Sequence, residues 1–414
     1  MLHRLLNTVQ NYAWGSPDAL VRLYGFPNPR REPLAELWMG AHPKAPSRIV
    51  TPDGEQGLDE YIANNPGRAL GESSARNGNE LPFLLKVLCA AQPLSIQAHP
   101  SLDQARRGFD AEQAAGTAGD APERNYRDAN HKPELICAIE PFWGLRGFRP
   151  VDEIRDEFTT VEFNKGDIHL PLPESNEDLA GFYRRQLLLP KAVRRDIVAA
   201  ALSLAGGRWP AHRSRELPEV GDPLARYYWV LRIAEEYPGD IGVLAPLVFN
   251  VFSLRPGEAT YQPAGVLHAY LHGVGVELMA NSDNVLRGGM TTKHIDVDEL
   301  MEVGRFRSES PVILAGTPAT DVAAAHCPTV SYPTPFREFE LQRVLPGKAC
   351  TVPGGSPQIL FCHRGPVLVL SAGAEATLAP GESVFIDAAD DSIEIVPEGI
   401  TDDRAEVFLA RVPE

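Results

Sequence analysis

Prolines and glycines recur in short clusters along the whole chain, so few segments are long enough for an extended helix. The 414 residues include 37 prolines and 35 glycines, and these are not collected in one linker. Between the clusters lie short runs rich in β-branched and aromatic residues, such as the run from Gln358 to Gly365. Proline and glycine favour turns and end regular elements. The pattern therefore predicts a mainly β chain of many short strands.

One block departs from this pattern. Between residues 151 and 238, apolar residues recur at helical spacing, for example at Ile197, Ala201 and Leu204. Such spacing places side chains on one face of a helix. Three helices are predicted from such runs, and the last is expected to end at Pro238 because proline and the glycine after it stop a helix. The block is expected to be a helical insertion between two β segments.

The chain divides into four segments on these grounds. A Pro-Gly-Glu step occurs at Pro256 and again at Pro380, which hints at a duplicated β unit. The second copy has no histidine where the first has His268, so the carboxy-terminal unit is expected to be structural, without a metal site. The segments are a catalytic β domain in two parts, 1–150 and 239–320, the helical insertion 151–238, and the carboxy-terminal β domain 321–414.

Charge, apolar runs and cysteines exclude several classes of protein. The formal net charge is −16, which disfavours a nucleic-acid partner. The longest nearly apolar run, Val243 to Leu254, is too short to cross a bilayer, and the amino end does not resemble a secretory signal. Five scattered cysteines do not describe a disulfide framework. We expect a cytoplasmic protein with no membrane partner.

Three separate segments carry residues that suit a metal ion. Gln97 and His99 stand two apart and share one face of a strand, Glu134 opens an apolar run, and His268 follows a turn at Gly265. By itself, each segment is also explained by a hydrogen-bonded side chain or a solvated loop. Taken together, two imidazoles, a carboxylate and an amide suit Zn²⁺ above other ions.

A fourth segment carries Arg287 followed by Gly288 and Gly289. A charge-rich helix surface would look similar, but two adjacent glycines break a helix. Glycines let the backbone approach a ligand closely, and a guanidinium binds oxyanions in a bidentate way. The segment therefore predicts a site for an oxyanion such as a phosphate.

These segments resemble the signatures of a known family, type I mannose-6-phosphate isomerase (phosphomannose isomerase), zinc-dependent sugar isomerases of the cupin superfamily. The resemblance covers most of the chain and implies a mainly β fold with two cupin-like β-sandwich or jelly-roll units and an inserted α-helical domain. The matching segments follow the order of the family and span residues 11–16, 36–43, 81–88, 93–100, 126–134 and 268–293.

The resemblance also implies roles for individual residues. One zinc ion per chain would be held by Gln97, His99, Glu134 and His268. Arg287 falls on the catalytic arginine of the family. The positions that line the sugar-phosphate pocket fall on Ser95, Lys86, Lys132 and Lys293. The family usually has proline where this chain has Thr292, which frees the backbone before Lys293.

The reaction implied is the reversible interconversion of mannose 6-phosphate and fructose 6-phosphate, in which a proton moves between C2 and C1 through a cis-enediol. The sequence does not identify the base that takes the C2 proton. Glu277, Lys132 together with His131, and a zinc-bound water are candidates in that order. The partner is a small sugar phosphate, and a monomer is expected.

Two other classes of cupin share parts of this residue pattern. An Fe(II) oxygenase favours several histidines plus a carboxylate, and Gln97 in place of a histidine argues against it. A non-catalytic sugar-phosphate-binding cupin would not need Arg287, Lys132 and the metal ligands together. Metal analysis and anaerobic turnover separate the three classes.

Overall fold

A computed structural model describes the chain except for residues 52–53, 74–76, 161–162, 164–169, 214–215, 319–326, 399–404 and 414. The predicted mainly β fold class is confirmed, because the described residues form large antiparallel sheets and most of the helical residues lie between residues 151 and 248.

The strands are short, as the turn residues predict, with one exception near the centre. In chain order they are β1 (Leu2–Leu6), β2 (Thr8–Gln10), β3 (Glu36–Gly40), β4 (Arg48–Thr51), β5 (Gly54–Gly57), β6 (Phe83–Ala90), β7 (Ile96–Ala98), β8 (Glu134–Ala138), β9 (Phe142–Phe148), β10 (Phe249–Leu254), β11 (Ala259–Gln262), β12 (His268–Ala280), β13 (Leu286–Gly289), β14 (Thr317–Pro318), β15 (Thr329–Ser331), β16 (Glu340–Val344), β17 (Cys350–Pro353), β18 (Gln358–Arg364), β19 (Val367–Ser371), β20 (Ala374–Leu378), β21 (Ser383–Ile386), β22 (Ser392–Pro397) and β23 (Glu406–Arg411).

The three predicted helices occur where the apolar spacing places them, and the last ends two residues before Pro238. In chain order the helices are α1 (Ala19–Tyr24), α2 (Leu58–Asn64), α3 (Pro66–Leu70), α4 (Leu102–Ala114), α5 (Val151–Phe158), α6 (Leu179–Leu187), α7 (Lys191–Arg208), α8 (Ala225–Glu236), α9 (Ala245–Val248) and α10 (Val297–Val303). Short 3-10 turns occur at Asn176–Asp178, Ala211–Arg213 and Ile241–Leu244.

The sheet that carries the candidate site is built around β12. It runs in the order β10-β9-β12-β6-β3-β2, and β7, β8, β11 and β13 are attached to it. The first half of β12 packs with the helical region through Ala269 and Leu271. Its second half packs, through Val276 and Leu278, in the same core as residues of the carboxy-terminal region. The long strand therefore contributes to two of the hydrophobic cores.

The amino-terminal and carboxy-terminal residues share a second sheet, ordered β14-β15-β16-β23-β18-β21-β1-β4-β5, beside a smaller sheet ordered β17-β22-β19-β20. Leu2 pairs with Ile386, and Leu5 pairs with Ile49. The second sheet thus joins residues of segments 1–150 and 321–414. The predicted boundary between residues 320 and 321 lies outside the described residues.

Two cysteines form a disulfide that the scattered spacing does not predict. Cys327 and Cys350 are bonded, with Cα atoms 5.0 Å apart. Cys89, Cys137 and Cys362 are buried thiols. The expectation of no disulfide is therefore wrong for one pair, because the fold brings together residues that are 23 positions apart. In the described part of the chain, no helix combines the length and apolarity needed to cross a membrane.

Candidate functional site

The site is assembled by strand pairing around β7. Gln97 of β7 is in register with His268, the first residue of β12, and with Arg287 of β13. Gly265 forms the turn before His268 at φ +79°, and a Cβ there would lie 2.8 Å from the Val303 carbonyl oxygen. The turn therefore needs glycine, as predicted, and three of the candidate residues become neighbours.

A buried carboxylate lies between two imidazoles. Glu134 begins β8, and its Oε1 lies 3.2 Å from His99 Nε2. Its Oε2 lies 3.2 Å from His268 Nε2. Potential ligand atoms of all three residues lie within 4.8 Å of one another, and all three side chains are buried. This spacing is what a single small ion requires.

Backbone carbonyls determine which nitrogen of each ring carries the proton. Nδ1 of His99 donates to the Asn284 carbonyl oxygen at 2.9 Å, and Nδ1 of His268 donates to the Val266 carbonyl oxygen at 2.9 Å. A carbonyl only accepts, so both Nε2 atoms present lone pairs toward Glu134. Nε2 of His99 makes no hydrogen bond within the described chain. Lone pairs that face a carboxylate in a buried site call for a cation between them.

The charge states also fit a metal site. Burial lowers the pKa of His99 to about 4, so this ring is neutral near pH 7. Burial alone would raise the pKa of Glu134, but the neighbouring Lys132 and His99 hold it well below its usual range. Lys132 Nζ lies 2.9 Å from Glu134 Oε1. A neutral imidazole and an ionised carboxylate are the forms that bind metals. The residues present therefore fit zinc, with the Gln97 amide as the fourth candidate ligand.

A cavity of about 730 Å³ opens beside these residues, and its walls are strongly basic. Two carboxylates, Glu36 and Asp283, also line it. In a chain with a net charge of −16, this concentration of positive charge marks a site for an anion. The six cationic side chains along the wall are Lys44, Lys86, Arg127, Lys132, Arg287 and Lys293.

Lys86 and Glu277 form a buried ion pair at the inner end of this cavity. Lys86 Nζ lies 3.0 Å from Glu277 and 3.6 Å from Glu36. Burial opposes the charge of Lys86, yet these carboxylates raise its pKa. Burial raises the pKa of Glu277, against the effect of Lys86. Glu277 lines a smaller cavity of about 60 Å³, which it shares with Glu134 and His268.

Ser95 and Lys293 line the large cavity, whereas His131 lines neither cavity. Nε2 of His131 lies 2.7 Å from Glu338, a residue of the carboxy-terminal region. Lys132 lines both cavities. His131 and Lys132, the adjacent residues proposed as a joint base, therefore face different parts of the protein.

Gly288, the first glycine after Arg287, packs closely against a tyrosine of the helical region. A Cβ at Gly288 would lie 2.9 Å from the Tyr183 hydroxyl oxygen, which donates to the Gly288 carbonyl at 2.7 Å. At Gly288 the protein itself makes a close approach, and the predicted approach of a ligand at these glycines stays a prediction. Thr292 lines the cavity with Lys293, whose backbone N–H donates to Thr291 Oγ1 at 3.0 Å.

Sequence reasoning missed several residues of the cavity wall, among them Lys44, Arg127, Glu36 and Trp38. Trp38 Nε1 donates to Glu36 at 2.7 Å, and its ring lies 5.2 Å from Lys86 Nζ. Glu36, Trp38 and Arg127 fall inside segments that matched the family, and Lys44 directly follows one. Membership in those segments was the available signal, but no spacing rule singled these side chains out.

Known proteins are similar to this chain over most of its length. Residues 2–151 match the family described as "Phosphomannose isomerase type I, catalytic domain". The mannose-6-phosphate isomerase of Escherichia coli (strain K12) is 39% identical over 409 residues, which cover 96% of this chain and 98% of that protein. The chain belongs to the mannose-6-phosphate isomerase family. The family predicted from the sequence is thereby confirmed.

Solved structures of mannose-6-phosphate isomerases have the same fold. A crystal structure of a variant of the Salmonella typhimurium phosphomannose isomerase superposes with a TM-score of 0.86 at 35% identity and covers 100% of both chains. A zinc-bound mannose 6-phosphate isomerase superposes with a TM-score of 0.85 at 36% identity, also over 100% of both chains. Human mannose-6-phosphate isomerase is 36% identical over 349 residues, which cover 79% of this chain and 76% of that protein.

Proposed function

We propose that this chain is a zinc-dependent aldose-ketose isomerase that interconverts mannose 6-phosphate and fructose 6-phosphate. The observation that carries the proposal is the buried group next to the basic cavity, in which two imidazole lone pairs face one ionised carboxylate. Family membership supports the same reaction.

The zinc ligands in this proposal are Gln97, His99, Glu134 and His268. Bound zinc supplies a Lewis acid that polarises oxygens of the sugar. The protein contributes ring orientation, because the Asn284 and Val266 carbonyls hold both imidazoles in the ligating tautomer. The carboxylate is held ionised by Lys132 at 2.9 Å.

The cations of the outer cavity are proposed to bind the phosphate. Within the described part of the chain, none of Arg127, Arg287 and Lys293 forms an ion pair, although all three line one cavity. Burial and the neighbouring cations lower the pKa of Lys293, as expected for like charges held together. A phosphate dianion relieves this repulsion. Ser95, Lys86 and Lys293 are the proposed substrate-binding residues, to which we add Arg127 and Lys44.

Arg287 is proposed to offset the negative charge that develops on the enediol. Its support is the register of Arg287 with Gln97, a proposed zinc ligand on the neighbouring strand. Burial and Arg127 lower the pKa of Arg287, and within the described chain no carboxylate neutralises the guanidinium. An unpaired, partly desolvated guanidinium is well suited to stabilise developing charge.

Lys132 is the proposed group that moves the proton between C2 and C1. It would act in its neutral form, because a metal ion at Glu134 would replace the ammonium in neutralising that carboxylate. Lys132 lines both cavities and is held at the metal-binding carboxylate. Glu277 is the second candidate, because burial raises the pKa of its carboxyl group toward the range useful for a base. The hydrogen-bonding distance of 2.7 Å between His131 and Glu338 argues for a lesser role of His131.

We expect Lys132→Met to lower kcat roughly a hundredfold to ten-thousandfold, the range for loss of a general acid-base group. Glu277→Gln should lower it less. Exchange of the C2 hydrogen of mannose 6-phosphate with deuterated water measures the proton step, and zinc analysis confirms that the metal is retained. If Glu277→Gln stops the exchange while Lys132→Met sustains it, Glu277 is the base.

Chelation tests the proposed function as a whole. We expect a coupled assay for fructose 6-phosphate formation to lose its signal in metal-free protein and regain it with added Zn²⁺, because the ligand set leaves the ion as the strong Lewis acid of the site. The same assay under nitrogen should run at full rate. A need for oxygen and iron would indicate a cupin oxygenase, and tight substrate binding without turnover would indicate a non-catalytic sugar-phosphate binder.

A monomer in the cytoplasm is part of the same proposal. The support for the compartment is the substrate class, since sugar phosphates are intracellular metabolites. Light scattering in solution tests the oligomeric state, and cell fractionation tests the compartment. The division at residues 150, 238 and 320 also stays a proposal, and limited proteolysis tests it.

A further inference from the structure

A short turn from the helical region reaches the wall of the cavity. Asp240 follows helix α8, and its Oδ1 accepts the Gly242 N–H at 2.6 Å and the Met290 N–H at 3.1 Å. Its Oδ2 accepts the Thr291 N–H at 3.4 Å. Asp240 itself does not line the cavity, whereas Met290 and Thr291 do. The carboxylate therefore contacts the segment that leads to Lys293 from outside the cavity.

The segment held by Asp240 has an uncommon backbone conformation. Met290 has φ +53° although it is not a glycine, and its side chain is fully buried. Such a conformation persists only where surrounding contacts hold it. The two N–H bonds to Asp240 are such contacts, and they lie on the two residues that precede Thr292 and Lys293.

Close packing reinforces these hydrogen bonds. A Cβ at Gly242 would lie 2.7 Å from the Met290 backbone nitrogen, so a methyl group there has no room. On the other side of the turn, the Tyr237 hydroxyl donates to the Pro93 carbonyl at 2.8 Å, two residues before Ser95. Residues 237–242 therefore touch the backbone of both segments that carry proposed substrate-binding residues.

We propose that Asp240 is a positioning residue of the isomerase, which holds the Met290–Lys293 segment at the distance from Ser95 that a sugar phosphate requires. The proposal rests on the proposed function of the cavity. The proposal gives the helical region a role in substrate affinity, because Asp240, in the turn after helix α8, contacts the Met290–Lys293 segment.

The test uses the zinc-loaded enzyme with Asp240→Ala, Asp240→Asn and Gly242→Ala. We expect Asp240→Ala to raise KM for mannose 6-phosphate roughly tenfold to a hundredfold, with a smaller change in kcat, because a small misplacement of a binding group is costly. Asp240→Asn keeps one acceptor oxygen and should show a smaller rise. Gly242→Ala should reproduce the rise, because the added methyl group would lie 2.7 Å from the Met290 backbone nitrogen and 3.0 Å from Asp240 Oδ1 and would force the two apart.

A merely structural role predicts a different result. Partial unfolding lowers the active fraction, and so lowers kcat while KM stays constant. Asp222→Ala is the matched control, because Asp222 accepts the Leu224 N–H at 2.9 Å and pairs with Arg213 at 2.7 Å in the helical region. We expect this control to lower Tm with KM unchanged.

Inorganic phosphate supplies a measurement that does not depend on turnover. Its dissociation constant, measured by calorimetry, should rise in Asp240→Ala and Gly242→Ala in parallel with KM. Unchanged KM and unchanged phosphate affinity in Gly242→Ala and Asp240→Asn would overturn the proposal, even if Asp240→Ala does not fold. Absence of turnover in the unaltered enzyme would instead overturn the proposed function, and the phosphate measurement would still test Asp240.

Discussion

Glu134→Ala is expected to leave the protein without zinc and to reduce turnover to background. The carboxylate lies 3.2 Å from both imidazole Nε2 atoms, so its removal takes away the one anionic ligand and the group that joins the two rings. Loss of the metal removes several kcal/mol of charge stabilisation in the transition state, a fall of roughly a thousandfold or more. Elemental analysis and the coupled isomerase assay measure the two effects.

Two further variants separate metal loss from general damage. Glu134→Gln keeps the volume of the side chain, so reduced zinc in this variant points to the lost charge. Glu157→Gln changes another buried carboxylate, which pairs with Arg226 at 2.8 Å in the helical region. The Glu157 variant should be less stable but should keep one zinc per chain. Full zinc occupancy in both Glu134 variants would remove this residue from the ligand set.

Arg287→Lys is expected to lower kcat on the order of a hundredfold to a thousandfold although the charge is retained. An ammonium cannot reproduce the bidentate contacts of a guanidinium. Because the proposed contact strengthens in the transition state, kcat and kcat/KM should fall together while zinc content stays intact. Steady-state kinetics with metal analysis provides the measurement.

Arg127→Lys is the matched comparison, because Arg127 lines the same cavity and is also without an ion pair within the described chain. We propose that Arg127 binds the phosphate equally in the ground state and in the transition state. Its variant should therefore raise KM with little change in kcat. A rise in KM alone for Arg287→Lys would move Arg287 to phosphate binding. Unaltered kinetics would remove it from the mechanism.

Local patterns predicted the elements that carry the residues of the candidate metal centre, whereas the pairing of β7 and β8 with β12 decided that these residues meet. Gln97 lies on a strand, Glu134 begins one, and the turn at Gly265 directs His268 to the start of β12. Each feature depends on residues within a few positions, where turn chemistry and side-chain alternation are reliable. The chemistry of the donor atoms then indicated a metal before any distance was known.

Predictions failed or were missing where a contact joins distant parts of the chain. The contact of His99 with the Asn284 carbonyl spans 185 positions, and the contact of His131 with Glu338 spans 207 positions. No local pattern indicates such a partner. The same holds for Arg127, whose position on the cavity wall depends on how β-sheet and loops pack.

The mainly β class, the helical block, the metal-binding residue types and the family were all readable from the order of residues, because periodicity and turn propensity act over short distances. The tertiary structure alone decided that β1 pairs with β21, that Cys327 meets Cys350, and that Asp240 holds the Met290 segment. Such pairings depend on the loop entropy and packing of the whole chain, which set the partner that each local element finds.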